Sequence, residues 1–299
     1  MGLADTIVAG LPQTDPIGRS ARMRDLVLGG HALELRFVPI LSTLSEQGVP
    51  RWIATFQVST DAIQIGTPGD SFRPTFTDEH QIELANALGL SRPTGLLADL
   101  TWAAAPLQLP PHLHGNTEAE RKVMGTAPVM LLHSREIDAD LARLAPDMPW
   151  DPIVLRRPVG KDWCASNGNT IINGVRHATN YGWHTTRPTR HKSLTLPGVN
   201  VEQPFASAHW WNHTDYSQTA TFVRPDVQLL DIRTGQIANT NLHDVNADPV
   251  LAKLWSHEGT IHEALPERSR LSEVKWIAYG AIGAIAIGVL AAAISQGAS

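Results

Sequence analysis

Apolar and polar residues alternate twice in the first quarter of the chain, and this pattern most restricts the possible fold. The two segments begin at His31 (HALELRFVPIL) and at Arg51 (RWIATFQVSTDAIQIG), and the linker between them, residues 45–50, contains Gly48 and Pro50. Alternation with β-branched and aromatic residues is typical of half-buried strands. A short Gly/Pro linker favours antiparallel pairing of the strands that it joins. We therefore expect an antiparallel sheet near the start of the fold.

Helical patterns follow these strands. The segment TDEHQIELANALG begins at Thr77, a residue suited to an N-cap, has Asp78 and Glu79 in its first turn, and ends at Gly89. Acidic residues in the first turn and a glycine after the last turn are typical helix boundaries. A second helix is predicted from Pro93 in PTGLLADLTWAAA. Shorter helices are predicted in NTEAERKVM, REIDADLARL and VLAKLWSHEG, whereas VMLLHS is predicted as a buried strand or helix edge.

The expected fold class is α+β, mostly antiparallel β with a few short helices and a C-terminal apolar helix. Residues 1–25 lack periodicity and are predicted to form a flexible lead-in. Residues 26–265 are predicted to form one globular body with a possible sub-boundary near residues 106–152, where prolines cluster. Residues 266–299 comprise a basic flank and an apolar, transmembrane-like segment.

Charge and cysteine content limit the possible functions. The net charge is −5, and Lys and Arg form no dense stripe, so non-specific nucleic-acid binding is not expected. Cys164 is the single cysteine, which excludes an intrachain disulfide.

Residues 276–294, WIAYGAIGAIAIGVLAAAI, are nineteen residues without a charge. A helix of this length crosses about 30 Å of hydrocarbon. We predict membrane association through this segment, with a buried or oligomer-core helix as the alternative. Basic residues precede the segment, which places the body on the cytoplasmic side by the positive-inside bias. Self-association is expected along a stripe of small residues: Gly280, Ala284, Gly288 and Ala292.

Residues 161–217 contain most of the side chains that suggest chemistry. They include five of the thirteen histidines, four of the nine tryptophans and Cys164. Histidine changes charge near neutral pH and is the side chain most often used as a general base. We therefore expect the functional site in this stretch.

The run HTDYS offers a base, a carboxylate and a hydroxyl at alternating positions. In a strand, His213, Asp215 and Ser217 share one face, and a carboxylate can orient a histidine that activates a hydroxyl. The alternative is a set of polar residues on the exposed face of a strand. His184, in the tetrad YGWH, is the second candidate base.

Lys161 and Asp162 are interpreted either as charged groups that line the site or as an exposed turn pair. Both are included among the candidate catalytic residues, with Lys161 as a charge stabiliser. Aromatic side chains provide flat surfaces for a sugar or are simply core residues. The candidate substrate-binding residues are Tyr181, Trp183, Trp210, Trp211 and Tyr216.

Metal ligation is not predicted. His112 and His114 share one side of an extended segment, but an exposed loop is favoured because a third ligand is not evident. The alternative is a zinc site assembled from distant parts of the chain, and it is disfavoured because the spacing of its candidate ligands is loose: Asp162, His184, His209, His213 and Asp215. No cofactor is predicted, because the sequence contains neither a Walker loop, a Rossmann fingerprint nor a GxSxG elbow.

Three of these motifs resemble those of a family of uncharacterised bacterial proteins. They are the Lys161–Asp162 pair, the tetrad YGWH, and a W-x-D-Y-S-H-G-like run, accompanied by an ALG-x-x-x-PT junction that starts at Ala87. The resemblance covers about residues 60–260. Gln218 stands where the family has His after DYS. The resemblance implies a shared fold and a polar centre, and no particular reaction.

Two functions are compatible with these patterns. The first is a hydrolase-like protein that acts on a polar polymer or a glycan or cell-wall material, with His184 or His213 as the base and Asp215 as its orienter. The second is a non-enzymatic component, either membrane-associated or part of a virion or envelope assembly. In that case the polar cluster is a hydrogen-bonded core.

Overall fold

The computed structural model of the chain describes residues 2–146 and 154–265. Within these ranges the α+β class with mostly antiparallel sheets is confirmed. The predicted C-terminal helix, with the basic residues before it, lies outside the described residues. Of the helices in the described ranges, none combines the length and the apolar composition that a bilayer span requires.

The first half of the described chain contains six α-helices and five strands, which are, in order, α1 (Leu3–Ala9), α2 (Pro16–Leu26), β1 (Phe37–Glu46), β2 (Val49–Ser59), β3 (Ile65–Thr67), β4 (Asp70–Phe72), α3 (Asp78–Leu88), α4 (Gly95–Ala104), β5 (Leu107–Gln108), α5 (Glu118–Val123) and α6 (Ala127–Leu144); a π-helical turn, Val27–His31, follows α2. The second half contains β6 (Arg156–Arg157), β7 (Lys161–Trp163), β8 (Ile171–Ile172), β9 (Val175–Thr185), β10 (His191–Lys192), β11 (Asn200–Trp210), β12 (Val223–Asp231), β13 (Gln236–Asn241), α7 (Leu242–Ala247) and α8 (Ala252–Trp255).

Two antiparallel sheets form the framework. The first has the strand order β1-β2-β12-β13, and the second has the order β10-β11-β9-β7, with β8 paired to β9. The predicted hairpin of β1 and β2 is present, with Phe37 opposite Ser59. The turn is shorter than the predicted linker of residues 45–50. It consists of Gln47 and Gly48, which both adopt positive φ, so the first strand ends at Glu46 and the second begins at Val49.

Helix α4 packs against both sheets. Leu97 belongs to the apolar core of the first sheet, together with Phe56 and Val227. The next residue, Ala98, packs with Tyr181 of the second sheet. Consecutive helix positions point about 100° apart, so neighbouring residues of one short helix can contact both sheets. Asp99, the next residue, points toward strand β9 and accepts a hydrogen bond from Tyr181.

The helix boundaries predicted at α3 are confirmed. Thr77 is the N-cap, and its hydroxyl accepts the His80 N–H at 3.3 Å. Gly89 ends the helix with φ +65°, the left-handed conformation that glycine adopts without a steric cost. The PTGLLADLTWAAA helix is also present as α4, with Thr94 as its N-cap.

Two local expectations were wrong, and of the strand and helix alternatives for VMLLHS the helix is present. The predicted lead-in forms α1 and α2, which bury Ala4, Val8 and Met23 in the core beside α3 and α6. The segment VMLLHS is the first half of α6, because Thr126 and Pro128 start a helix that runs on through Leu144. The HTDYS run is a turn rather than a strand, so its alternating residues do not share a strand face.

Two glycines that end helices differ in backbone conformation and allow a matched test. Gly89 has φ +65°, whereas Gly10, after α1, has φ −84°. We expect Gly89→Ala to lower the free energy of unfolding by about 1 kcal/mol, because a Cβ is disfavoured in the left-handed region. Gly10→Ala is expected to be neutral or slightly stabilising. Urea unfolding of both variants measures the difference, and equal effects would contradict the assigned conformations.

Candidate functional site

The turn that contains HTDYS is buried and held by neighbouring backbone groups. The Lys161 N–H donates to the Ser217 carbonyl at 2.8 Å, and the Tyr216 N–H donates to the Met124 carbonyl at 3.0 Å. The Phe76 N–H donates to the Gln218 carbonyl at 3.0 Å. These bonds come from three separate parts of the chain, so the turn has one defined position against β7.

Asp215 is the centre of this turn. Its carboxylate accepts the Ser217 N–H at 2.8 Å and the Ser217 hydroxyl at 2.5 Å, both on Oδ1. Lys161 Nζ lies 3.1 Å from Oδ2. Burial alone would raise the pKa of Asp215, but the Lys161 charge and the hydrogen bonds from Ser217, with His213 nearby, hold that pKa far below its usual range. The carboxylate is therefore ionised although it is only 3% exposed.

His213 is the accessible member of the cluster. Its Nε2 lies 3.8 Å from Asp215 Oδ2, and 40% of its side chain is exposed. The His209 ring stacks on it with centroids 4.9 Å apart. Burial, with the nearby His213 and Lys161 charges, lowers the pKa of His209 to about 4. His209 is thus neutral at pH 7, and His213 has an anion on one side and an uncharged ring on the other.

The position of Ser217 does not suit a nucleophile, because a nucleophile has to be reachable by the substrate. The side chain is fully buried, and its hydroxyl is committed to Asp215. Gln218, which stands where the resembling family has His, accepts the Asp215 N–H through Oε1 at 2.5 Å. Ser217 holds the Asp215 carboxylate and Gln218 holds the Asp215 backbone, and the structure does not present either of them to solvent.

The YGWH tetrad divides its side chains between two faces of the second sheet. In a regular strand Tyr181 and Trp183 would share a face. Here Gly182 has φ +132° and Trp183 has φ +56°, so the regular alternation is interrupted. The Trp183 ring lies 5.3 Å from Lys161 Nζ, on the Asp215 side. Tyr181 and His184 both reach Asp99 of α4 instead.

Asp99 and His184 form a second histidine–aspartate pair, which is buried and which no sequence motif indicates. The Tyr181 hydroxyl donates to Oδ1 at 2.5 Å, and His184 Nε2 lies 2.6 Å from the same oxygen. Thr195 donates its N–H and its hydroxyl to Oδ2 at 2.8 and 2.7 Å. Burial would raise the pKa of Asp99, but His184, Tyr181 and Thr195 together lower it. The pair fastens the 193–196 loop and β9 to α4.

The candidate catalytic residues therefore do not form one site. Lys161, His213, Asp215 and Ser217 come together, but His184 joins Asp99. Asp162 points away from Lys161, because adjacent strand residues face opposite sides of a sheet. Its carboxylate accepts the Thr221 hydroxyl at 2.5 Å, and burial raises its pKa.

The candidate substrate-binding aromatics are mostly interior. Tyr181, Trp183 and Tyr216 are 5% exposed or less. Trp211 is partly exposed and lies within the His209–His213 turn. Trp210 is 60% exposed, but it pairs with His177 in the sheet and faces away from His209, its neighbour on β11.

A group of histidines beside α6 was missed by the sequence reasoning. His114 Nε2 lies 2.9 Å from Glu136, and His112 Nε2 lies 2.7 Å from Asp140, so the predicted exposed loop is instead fastened to α6. His133 is 1% exposed and packs edge-on against Tyr216. The i, i+3, i+7 spacing of His133, Glu136 and Asp140 on one helix face was the available signal. In the described ranges, His, Cys, Asp and Glu side chains form no group of three or more that could hold a metal.

The neutral state of buried His133 predicts a pH dependence of stability. Burial and the nearby positive charges lower the pKa of His133 to about 3, whereas in the unfolded chain it titrates near 6.5. Below pH 6.5 the unfolded state binds a proton that the folded state does not, so stability is lost as the pH falls. Between pH 6.5 and pH 5 this loss amounts to about 2 kcal/mol.

We therefore expect His133→Phe to lose less stability than the wild type between pH 7 and pH 5. The exposed His243, with 55% of its side chain accessible, provides a control, since His243→Phe should leave the pH dependence unchanged. Urea unfolding at the two pH values measures the difference. Identical pH dependence in the wild type and His133→Phe would contradict a buried neutral His133.

Comparison of the chain with protein-family models, curated proteins and solved structures found no match. The resemblance through the Lys-Asp, YGWH and DYS motifs stays a prediction. Any functional proposal therefore depends on the geometry around Asp215.

Proposed function

We propose that the protein is a hydrolase-like enzyme in which His213 is the general base and Asp215 orients it. The observation that carries the proposal is the position of His213, 3.8 Å from a buried, ionised carboxylate and 40% exposed to solvent. A histidine oriented by a carboxylate is a common arrangement for proton transfer at neutral pH. Lys161 and Ser217 hold the carboxylate, so Asp215 does not have to move during the reaction.

The orientation of the ring assigns a role to each of its nitrogens. With Nε2 toward Asp215, the Nε2–H points to the carboxylate and Nδ1 is free to accept a proton. His213 takes a proton from a water molecule, whose oxygen attacks the bond to be cleaved. The same proton then passes to the leaving group, and the imidazole returns to its neutral form. Asp215 stabilises the intervening imidazolium, and neutral His209 does not oppose that charge.

A polar polymer of the glycan or cell-wall type is the proposed substrate class. His213 is the exposed end of the otherwise buried HTDYS turn, and a long substrate can lie across this part of the surface without being enclosed. Trp211, partly exposed two residues before His213, supplies an aromatic face of the kind on which sugar rings stack. The proposed membrane association through residues 276–294 is a separate matter, and the chemistry of the turn does not depend on it.

His213→Gln tests the proposal, because it removes the base and keeps a polar side chain of similar size. Loss of a general base lowers turnover by about 10²- to 10⁴-fold. We expect such a loss in the release of soluble fragments from peptidoglycan or polysaccharide. The melting temperature should stay unchanged, since the side chain is partly exposed. The matched control is His243→Gln, whose histidine lies 3.5 Å from Asp244 on the surface and should retain full turnover. Full turnover by His213→Gln would refute the assignment.

A non-enzymatic assembly component is the second candidate, and burial favours it. Lys161, Asp215 and Ser217 are 7%, 3% and 0% exposed, as expected for a hydrogen-bonded core that fixes the fold. In this case the wild type would cleave none of the polymers, and the purified full-length chain would form symmetric particles visible by electron microscopy. Monodisperse monomers that cleave polymer would eliminate this candidate.

A further inference from the structure

The sequence contains two Asn-Gly pairs, and the structure places them in opposite surroundings. They are Asn167-Gly168, in the loop after β7, and Asn173-Gly174, the turn between β8 and β9. An asparagine that precedes glycine is especially open to deamidation, because glycine has no side chain to hinder attack by its backbone nitrogen on the asparagine amide. The fold then decides whether the pair reacts, since the attack needs a mobile backbone and an unoccupied amide.

The Asn173-Gly174 pair lies at an exposed hairpin tip. Residues 171–175 are all exposed. The two turn residues have φ values of +51° and +78°, as in a two-residue hairpin turn, and a Cβ placed on Gly174 would meet no heavy atom within 4 Å. The Asn173 amide has no hydrogen-bond partner among the described residues. The side-chain amide and the nitrogen that follows it are therefore both open to solvent.

The hairpin tip can open at little cost. Strand β8 has only two residues, which pair with Val175 and Arg176 of β9. So short a pairing at the end of a hairpin opens locally far more readily than the core unfolds. The opening stops at Thr170, whose carbonyl accepts the His177 N–H at 2.7 Å. The chain around Asn173 thus reaches the conformation that the attack needs while the rest of the body stays folded.

The Asn167-Gly168 pair is held in place by hydrogen bonds. The Asn167 amide donates to the Thr260 carbonyl at 2.8 Å and accepts the His262 N–H at 3.0 Å. The Gly168 N–H, which would have to lose its proton before attack, donates to the Ser166 hydroxyl at 2.9 Å. A Cβ placed on Gly168 would overlap neighbouring hydroxyl groups, so the loop is also tightly enclosed. Both groups that would react are occupied here.

We propose that Asn173 is a site of spontaneous deamidation in the folded protein and that Asn167 is protected. The Gly174 nitrogen loses its proton and attacks the side-chain carbonyl carbon of Asn173. The amide nitrogen leaves as ammonia, which takes up that proton, and a cyclic succinimide remains. One water molecule then opens the ring. Cleavage of the new bond to the side-chain carbon gives aspartate, and cleavage of the original peptide bond gives isoaspartate.

The two products differ in their effect on the turn. Aspartate adds a negative charge but keeps the main chain, and Asp-Gly suits a two-residue hairpin turn as well as Asn-Gly does. Isoaspartate lengthens the main chain at position 173 by one carbon atom, so the two-residue turn cannot be kept. The pairing of β8 with β9 is then lost. The loss is local, because Asn169 stays bonded to the Thr179 N–H and to the Cys164 carbonyl.

Peptide mapping of the full-length chain tests the proposal, because residues 162–176 form one tryptic peptide that contains both pairs. The folded protein is incubated at neutral pH and physiological temperature, and a matched sample is unfolded in guanidinium chloride. Electron-transfer fragmentation then locates each deamidated residue and distinguishes isoaspartate from aspartate. In the folded chain Asn173 should react about 10²-fold faster than Asn167, since three hydrogen bonds must break before Asn167 can react. In the unfolded chain the two rates should be similar.

Equal rates at the two asparagines of the folded chain would overturn the proposal. It is also overturned if Asn173 reacts only after unfolding, or if the difference in rate persists in guanidinium chloride. The variant Asn173→Asp separates added charge from chain lengthening. Hydrogen exchange of residues 172–175 should be unchanged in this variant and faster in the isoaspartate form. Unchanged exchange in the isoaspartate form would contradict the effect assigned to the lengthened chain.

Discussion

The positive φ angles of Gly182 and Trp183 determine how the centre of the molecule is arranged. A regular strand would send Tyr181 and Trp183 to one face and His184 to the other. The left-handed backbone instead sends Tyr181 and His184 together to Asp99 and places Trp183 beside Lys161. A non-glycine residue with φ +56° is uncommon and persists only where its surroundings fix it. Here the surroundings are two polar clusters on opposite faces of one sheet.

Each cluster is built around a buried carboxylate whose oxygens are both occupied. Burying a charge costs several kcal/mol unless it is paired and hydrogen-bonded. The cost of burying Asp215 is offset by Lys161 and by two hydrogen bonds from Ser217. The cost of burying Asp99 is offset by His184 and by three neutral donors, the Tyr181 hydroxyl and the Thr195 N–H and hydroxyl. Because the donors come from distant parts of the chain, each carboxylate fastens a loop to the sheet. The polar groups thus fix tertiary positions that apolar packing alone leaves less specific.

Local signals in the sequence predicted the helices well and the site only in part. Thr77, Gly89 and Thr94 act through neighbours within four residues, so their effect can be read from the sequence. The HTDYS run has the alternation of a strand, but tertiary hydrogen bonds to Lys161 and Met124 make it a turn. The partner of His184, Asp99, is 85 residues away, and no spacing rule connects them. Long-range pairing of this kind depends on the packing of α4 against the sheet.

Solvent exposure increases from one end of the Asp215 cluster to the other, and this increase is the feature that relates the cluster to the proposed proton transfer. In the network around Asp99 the titratable members are all buried, with Asp99 and Tyr181 0% exposed and His184 3% exposed. The other network begins at fully buried Ser217, passes through Asp215, and ends at His213, whose side chain is 40% exposed. Its charge is fixed at the buried end and its titratable group is at the surface. In such an arrangement a fixed anion lies beside a titratable group that solvent and solutes can reach, as general acid–base catalysis requires.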